Sequence, residues 1–496
     1  MYTLLKSFFP FIILMSLLTA CSVSKNYSPS KKFPKEELQQ DFSLLRNILE
    51  AKHPSLYWYT PKENMDDYFE KGYESIKDSM SELQFGWQII APLINKIHCG
   101  HTSFSMSNHW SKFIRNKRLP SFPLHLKIWS DTIVVTANLN KNSTLKKGTL
   151  ITAINGISNH ELLQKMFGYM SQDGYADNVN NIRLSMSFPY FHRNIFGLYD
   201  TYRIQYIDSS GIKKSTFLPR HNPPPDSLEK NKKKPLIKRE RLSRQQKLQM
   251  IRLYKADTAN DLAILKLNSF SKGHLQKFFS HSFKKIKKSH AKNLVIDVRN
   301  NGGGDINNFV SLSRYIRNNS FRVADTSAAI AKNFRPYSKY IKADFFEKLA
   351  LFFLTKKKSD GRYHFGYWEN RVIKPKRRNH FNGNVYVLTN GLTFSASALF
   401  CNAVKSQSNV LLVGEETGGG WYGNSGIMIP DIILPNTRLR VRLPFFRLVQ
   451  YNHIAKKGTG IPPDILVNPT VKDILSNTDS KMEVVKEMIL KNKNNN

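Results

Sequence analysis

The sequence predicts a multidomain α+β protein, with a helical N-terminal part, a β-rich middle and an α/β C-terminal half. Three observations carry that prediction. A chain of 496 residues exceeds what one hydrophobic core serves, and its 41% hydrophobic and 12% aromatic residues supply material for several cores. The apolar period is helical before about Ile97 and alternates after about Leu119. Beyond residue 258, strand-like runs alternate with helical ones, an order that implies a sheet with crossover helices.

Taken from the start, Lys6 is followed by an apolar run from Phe8 to Leu18 that is short for a membrane span, so residues 1–20 read as a signal peptide. Its end, Leu18-Thr19-Ala20-Cys21, resembles the bacterial lipobox. The resemblance implies lipid attachment at Cys21, a flexible tether over 21–34 and a mature protein anchored in the cell envelope, facing periplasm or exterior. That use of Cys21 leaves Cys99 and Cys401, which could form one bridge or remain two buried thiols; neither makes a disulfide scaffold.

Residues 35–115 are expected to form a helical domain, since Phe42, Leu45, Ile48 and Leu49, and later Phe85, Ile89, Ile90 and Leu93, recur at helical spacing. Pro54 separates two helices, and Ser81 with Gln84 makes a capping box for the later one. Residues 119–218 begin with the alternating runs Leu124 to Ile128 and Ile133 to Val135. They continue through Leu150 to Ile154, the turn Asn155-Gly156 and a helical stretch from Glu161 to Met170. That order resembles a PDZ domain, which implies either an edge strand that accepts an extended peptide or a purely structural module.

Residues 219–257 join Pro223-Pro224-Pro225 to a basic run without apolar periodicity and read as a linker or insertion. Lys and Arg outnumber Asp and Glu by 75 to 37, and residues 230–247 alone hold nine basic side chains against Glu240. Such clusters are solvated loops or are drawn to an anionic membrane surface, and nothing in the chain resembles a nucleic-acid-binding fold. No ligand cluster has zinc or calcium spacing, so neither metal nor cofactor is expected. A catalytic unit over 258–475 and a C-terminal tail over 476–496 complete the division.

Three segments of that last unit fall where strands end and helices begin, where active sites of α/β sheets lie. Leu294 to Val298 runs into Gly302-Gly303-Gly304. Consecutive glycines can turn amides inward, and without a P-loop lysine an oxyanion hole is their better use. Val385 to Thr389 leads into Ser395-Ala396-Ser397, a serine at a helix N-terminus, where free amides and the macrodipole favour developing negative charge. The third segment is Gly414-Glu415-Glu416-Thr417 followed by Gly418-Gly419-Gly420.

Together, Asp297-Val-Arg-Asn-Asn-Gly-Gly-Gly304, Ser395-Ala-Ser397 and Gly414-Glu-Glu-Thr417 resemble the tail-specific (C-terminal-processing) serine protease family over about residues 258–470. The resemblance implies a crotonase-like ββα catalytic domain that cleaves extended or unfolded peptides through an acyl-enzyme. It also implies Ser395 as nucleophile and the amides of Gly303 and Ala396 as oxyanion hole. The family's usual lysine, some 25 residues after the serine, would fall in Gly418 to Gly420 and is missing, while Lys405 lies nearly three helical turns from Ser395. The base is therefore expected to be His101 in His98-Cys-Gly-His101-Thr102, with His98 the lesser candidate. This arrangement resembles the histidine-containing branch typified by the tricorn protease core. Glu415, Glu416 and Asp464 are the candidates for the acid that orients His101. The rival reading is a catalytically inactive peptide- or lipid-binding protein on the same fold.

Overall fold

A computed structural model describes residues 27–140, 144–224 and 242–494. The lipobox cysteine Cys21 and most of the basic run lie outside the described residues. The chain is a mixed α+β assembly of several sheets and helices.

The helical part comprises Lys35–Lys52 and Lys62–Glu74, separated at Pro54, and a third helical stretch from Glu82 to Asn95. Ser81 and Gln84 form the capping box that starts this third stretch, and Phe85–Ile90 widens into a π-helix. Phe42, Leu45, Leu49, Met65, Phe69, Phe85 and Ile90 meet in its core. That core does not close on itself, because it also takes in Ile432, Leu439, Val441 and Phe445 from the far end of the chain.

Two more links fasten these distant parts. The strand Phe104–Ser105 pairs antiparallel with Arg440–Arg442. The buried carboxylate of Asp41 accepts from the amides of Asn436 (3.0 Å) and Thr437 (2.8 Å) and from the Thr437 hydroxyl (2.6 Å).

The middle of the chain is a five-strand antiparallel sheet in the order Leu124–Trp129, Thr132–Asn138, Leu150–Ile154, Thr201–Ile207, Lys213–Pro219, with the short Ile157–Ser158 beside the third strand. The helices Asn159–Phe167 and Asn178–Phe196 cover it through Leu163, Met166, Leu184 and Phe188. Asn155, at φ 51°, and Gly156, at φ 82°, make the tight turn expected of Asn-Gly.

The principal sheet has the order Arg252–Asp257, Leu262–Leu267, Asn293–Asp297, Asn384–Thr389, Val410–Gly414, Ile465–Leu466. All neighbours are parallel except the first pair. Two expected boundaries move. Strand Arg252–Asp257 lies within the span read as linker, and its ladder to Leu262–Leu267 places it in this sheet. The span read as a tail holds the helix Ser480–Asn494, whose Val485 and Ile489 cover one face of the sheet against Val295, Tyr386, Leu388 and Val413. Its first turn is pinned by Lys481, which pairs with buried Glu415, and by Asp479, which receives the Arg299 guanidinium.

Helices Leu275–Lys288, Ile306–Ser313 and Ala396–Lys405 pack on the opposite face through Phe279, Phe283, Phe309, Phe400 and Val404. Cys99 and Cys401 are both free and buried, so no bridge joins them.

Candidate active site

Ser395 stands where the strand Asn384–Thr389 has ended and the helix Ala396–Lys405 begins. Its backbone, at φ 54° and ψ −127°, occupies a region that non-glycine residues avoid. Such strain persists only where the surroundings enforce it. They do: the Phe394 amide donates to the Asn301 carbonyl (3.1 Å), and Gly419 packs so tightly that a Cβ there would come within 3.0 Å of the Ser395 amide and 2.6 Å of Ala398 Cβ. The glycines at the position expected for a lysine thus act as the wall that lets this turn close.

On the other side lies Gly303, at φ 102°, where a Cβ would sit 2.6 Å from Ser395 Cβ and 2.9 Å from the Ala396 amide nitrogen. Gly303 and Ala396 therefore flank the serine. The Ala396 amide, first of its helix, has no intrahelical acceptor. The Gly303 amide, however, already donates to Asn301 Oδ1 (3.0 Å), so it is not the free donor expected from the sequence.

His101 shares one cavity of about 750 Å³ with Ser395, Gly302 to Gly304, Ala396 and Asn424. Its ring leans on Phe394, the residue before the serine, with centroids 4.9 Å apart. Among the described residues no hydrogen bond joins His101 to Ser395. The imidazole is buried, and its pKa falls to about 3, chiefly through desolvation and further through the Arg442 and Arg183 charges. It is neutral at physiological pH and able to accept a proton.

The acid beside His101 is Asp173, whose Oδ1 lies 3.9 Å from His101 Nδ1, a nitrogen without a hydrogen-bond partner among the described residues. Asp173 is itself held by the amides of Gly100 (2.8 Å) and Gly420 (3.4 Å), and burial raises its pKa to about 7. The expected orienting acids are occupied elsewhere. Glu415 pairs with Lys481, Glu416 accepts from the Gly460 amide (2.6 Å), and Asp464 pairs with Lys405 and accepts from the Leu412 amide (2.8 Å). Lys405 is thereby committed to Asp464 and the Pro462 carbonyl.

His98 does not enter the cavity lining. Its Nδ1 lies 2.9 Å from the Gly174 carbonyl, and the Gly174 amide donates to the His98 carbonyl (2.9 Å). It fastens the turn that carries Asp173.

A second residue that the sequence left unread is Asn424 on the strand Gly423–Gly426, which lines the cavity and whose buried Nδ2 lacks a partner among the described residues. The signal that could have found Asp173 is weak: a buried acid in Ser171-Gln172-Asp173-Gly174 has no motif, and only the fold brings it to His101.

Residues 261–467 match the family model described as Peptidase family S41. Among solved structures the chain is similar to mature CPAF complexed with lactacystin, at 13% identity and TM-score 0.63, covering 93% of this chain and 99% of that one. It is also similar to mature CPAF alone, at 14% identity and TM-score 0.62, over 93% and 98% of the two chains. The photosystem II D1 C-terminal processing protease aligns with 90% of this chain and 98% of its own, at 14% identity and TM-score 0.40. No curated protein sequence matches the chain.

Proposed function

We propose, from the premise that residues 261–467 belong to peptidase family S41 and that the chain is a serine-type peptidase, that Ser395 is its nucleophile, His101 its base and Asp173 the acid behind the base. The observation that carries this reading is the single cavity that joins Ser395, its glycine turn and His101, with Asp173 buried against the far nitrogen of the imidazole.

The steps follow from the atoms present. His101 Nε2 takes the Ser395 hydroxyl proton as Oγ attacks the peptide carbonyl, and the carbonyl oxygen gains negative charge. The Ala396 amide, an amide of the Gly302 to Gly304 turn other than the one spoken for by Asn301, and Asn424 Nδ2 are the donors at hand for that charge. The imidazolium then gives its proton to the leaving amine, and an acyl-enzyme remains on Ser395. Water, deprotonated by His101, attacks this ester, and return of the proton to Ser395 frees the carboxylate product. Asp173 as an anion stabilises the imidazolium that exists between these steps.

Extended or unfolded peptides are the substrates we propose, delivered past the five-strand middle sheet, whose edge strand Lys213–Pro219 is open to strand addition. Attachment to a bacterial envelope membrane through Cys21 belongs to the same proposal, and among the described residues no helix is long and apolar enough to cross a membrane.

A fluorophosphonate probe tests the nucleophile. The native protein is expected to gain one adduct on Ser395, absent from Ser395→Ala. Failure to label folded native protein would overturn the reading in favour of a non-catalytic binding protein on this fold.

A further inference from the structure

The helix Phe345–Phe353 is built inside out. Asp344 and Glu347 cap it with a capping box, and Leu351 is its buried side chain. At 100° per residue, Phe345, Phe346, Leu349, Phe352 and Phe353 fall within an arc of about 120°. That arc faces water: Phe345, Phe346 and Phe353 are 67%, 77% and 71% exposed, and Leu349, Phe352 and the following Leu354 are exposed as well. A soluble helix places such a stripe on its core, so a contiguous apolar face left outside marks a contact surface.

Lysines frame the stripe. Lys332 lies over the Phe352 ring at 4.9 Å, Lys342 precedes the helix, Lys348 sits within it, and Lys356 and Lys357 follow, all exposed. Apolar side chains rimmed by lysines match the two layers of an anionic bilayer surface, acyl chains below and phosphates above. A second copy of the chain matches poorly, because a two-fold contact would set these lysines against themselves on a protein of formal net charge +38.

We infer that Phe345–Phe353 is an interfacial helix that lies in the surface of an anionic lipid membrane. The helix is joined to the catalytic cavity, since Leu354, its C-terminal neighbour, lines that cavity together with Ser395 and His101. Docking would hold the mouth of the cavity at the lipid surface and favour polypeptide segments that emerge from it. This contact is independent of any acyl chain on Cys21 and of the catalytic roles assigned above.

The test uses the full chain with Cys21→Ser, in which Cys99 and Cys401 are buried, and an environment-sensitive fluorophore on Phe346→Cys or Phe353→Cys. Vesicles of phosphatidylcholine with about 30% phosphatidylglycerol are expected to shift the emission to the blue and expose the fluorophore to lipid-borne quenchers. The same fluorophore on Ile212→Cys, in the middle sheet, is expected to stay unshifted. In unlabelled protein, Phe346→Ser with Phe353→Ser should weaken partitioning onto these vesicles about tenfold while cleavage of a soluble peptide is unchanged. No shift at 346 and 353, an equal shift on pure phosphatidylcholine or at 212, or a shift that appears with protein concentration and no vesicles would each overturn the inference; the last would assign the face to a second copy.

Discussion

A histidine with a pKa lowered to about 3 is a reluctant base, so in the proposed mechanism the strength of His101 depends on Asp173. An anionic Asp173 stabilises the imidazolium and a protonated one does not. Burial has raised Asp173 to about 7, which means that the anion is lost as pH falls through that value. The rate kcat is therefore expected to drop on the acid side of about pH 7. Asp173→Asn should remove that limb and lower kcat on the order of 10²- to 10⁴-fold with little change in KM, as read from pH–rate profiles. At this scale the sequence is uneven. That Ser395, Ala396 and the glycine turn share a site is readable from strand-to-helix position joined to the family resemblance, and the place of His101 beside them from its Gly-His-Thr setting and the missing lysine. The place of Asp173 is not readable, because no spacing rule relates residues 101 and 173; they meet through the His98 and Gly174 contacts and the Gly100 amide on Asp173. Glu415 looked suitable as an acid in a motif, yet its carboxylate serves Lys481.

Elements act here by closing on one another. Gly303→Ala would place a methyl 2.6 Å from Ser395 Cβ at a φ of 102° that alanine resists, so the variant should fold with a displaced serine turn and lose most fluorophosphonate labelling. On the opposite face of the sheet, Lys481→Ala would leave the Glu415 carboxylate buried without its cation. Removal of one partner of such a pair costs roughly 3 kcal/mol, measurable in denaturant melts. The four inner strands of the principal sheet are legible as apolar runs, and Ser81 and Gln84 as a cap, since both signals are local, whereas the edge strands Arg252–Asp257 and Ile465–Leu466 are not. The helix Ser480–Asn494 was not recognised, because its mean polarity hides Val485 and Ile489 and only the sheet beneath gives them a purpose. The helix Phe345–Phe353 escaped for the reverse reason: its apolar face has no partner among the described residues.

Across the whole molecule the site is assembled from both ends of the chain, so its integrity depends on how they dock. Asp41→Ala would strip three donors of their buried acceptor at residues 436 and 437. It should cost about 2–4 kcal/mol in thermal or chemical unfolding and lower kcat as the His101 segment loosens. Stability should also depend on pH through His192, which is buried among Phe122, Phe188 and Tyr202 and has its pKa lowered to about 4 by desolvation. A folded pKa below the unfolded value of about 6.5 means that the contribution is complete above pH 6.5 and is lost as pH falls towards 4. His192→Phe should therefore flatten the acid side of a melting-temperature profile, by the equivalent of roughly 3 kcal/mol at pH 4.

The ladder between Phe104–Ser105 and Arg440–Arg442 has one more consequence. It joins the neighbours of His101 to a strand that leaves the ribosome after Ser395 itself has been made. Until that strand arrives, the stretches that carry His101 and Ser395 lack this fastening. On the roles proposed for His101 and Ser395, a chain cut short before residue 440 is therefore expected to label poorly with a fluorophosphonate.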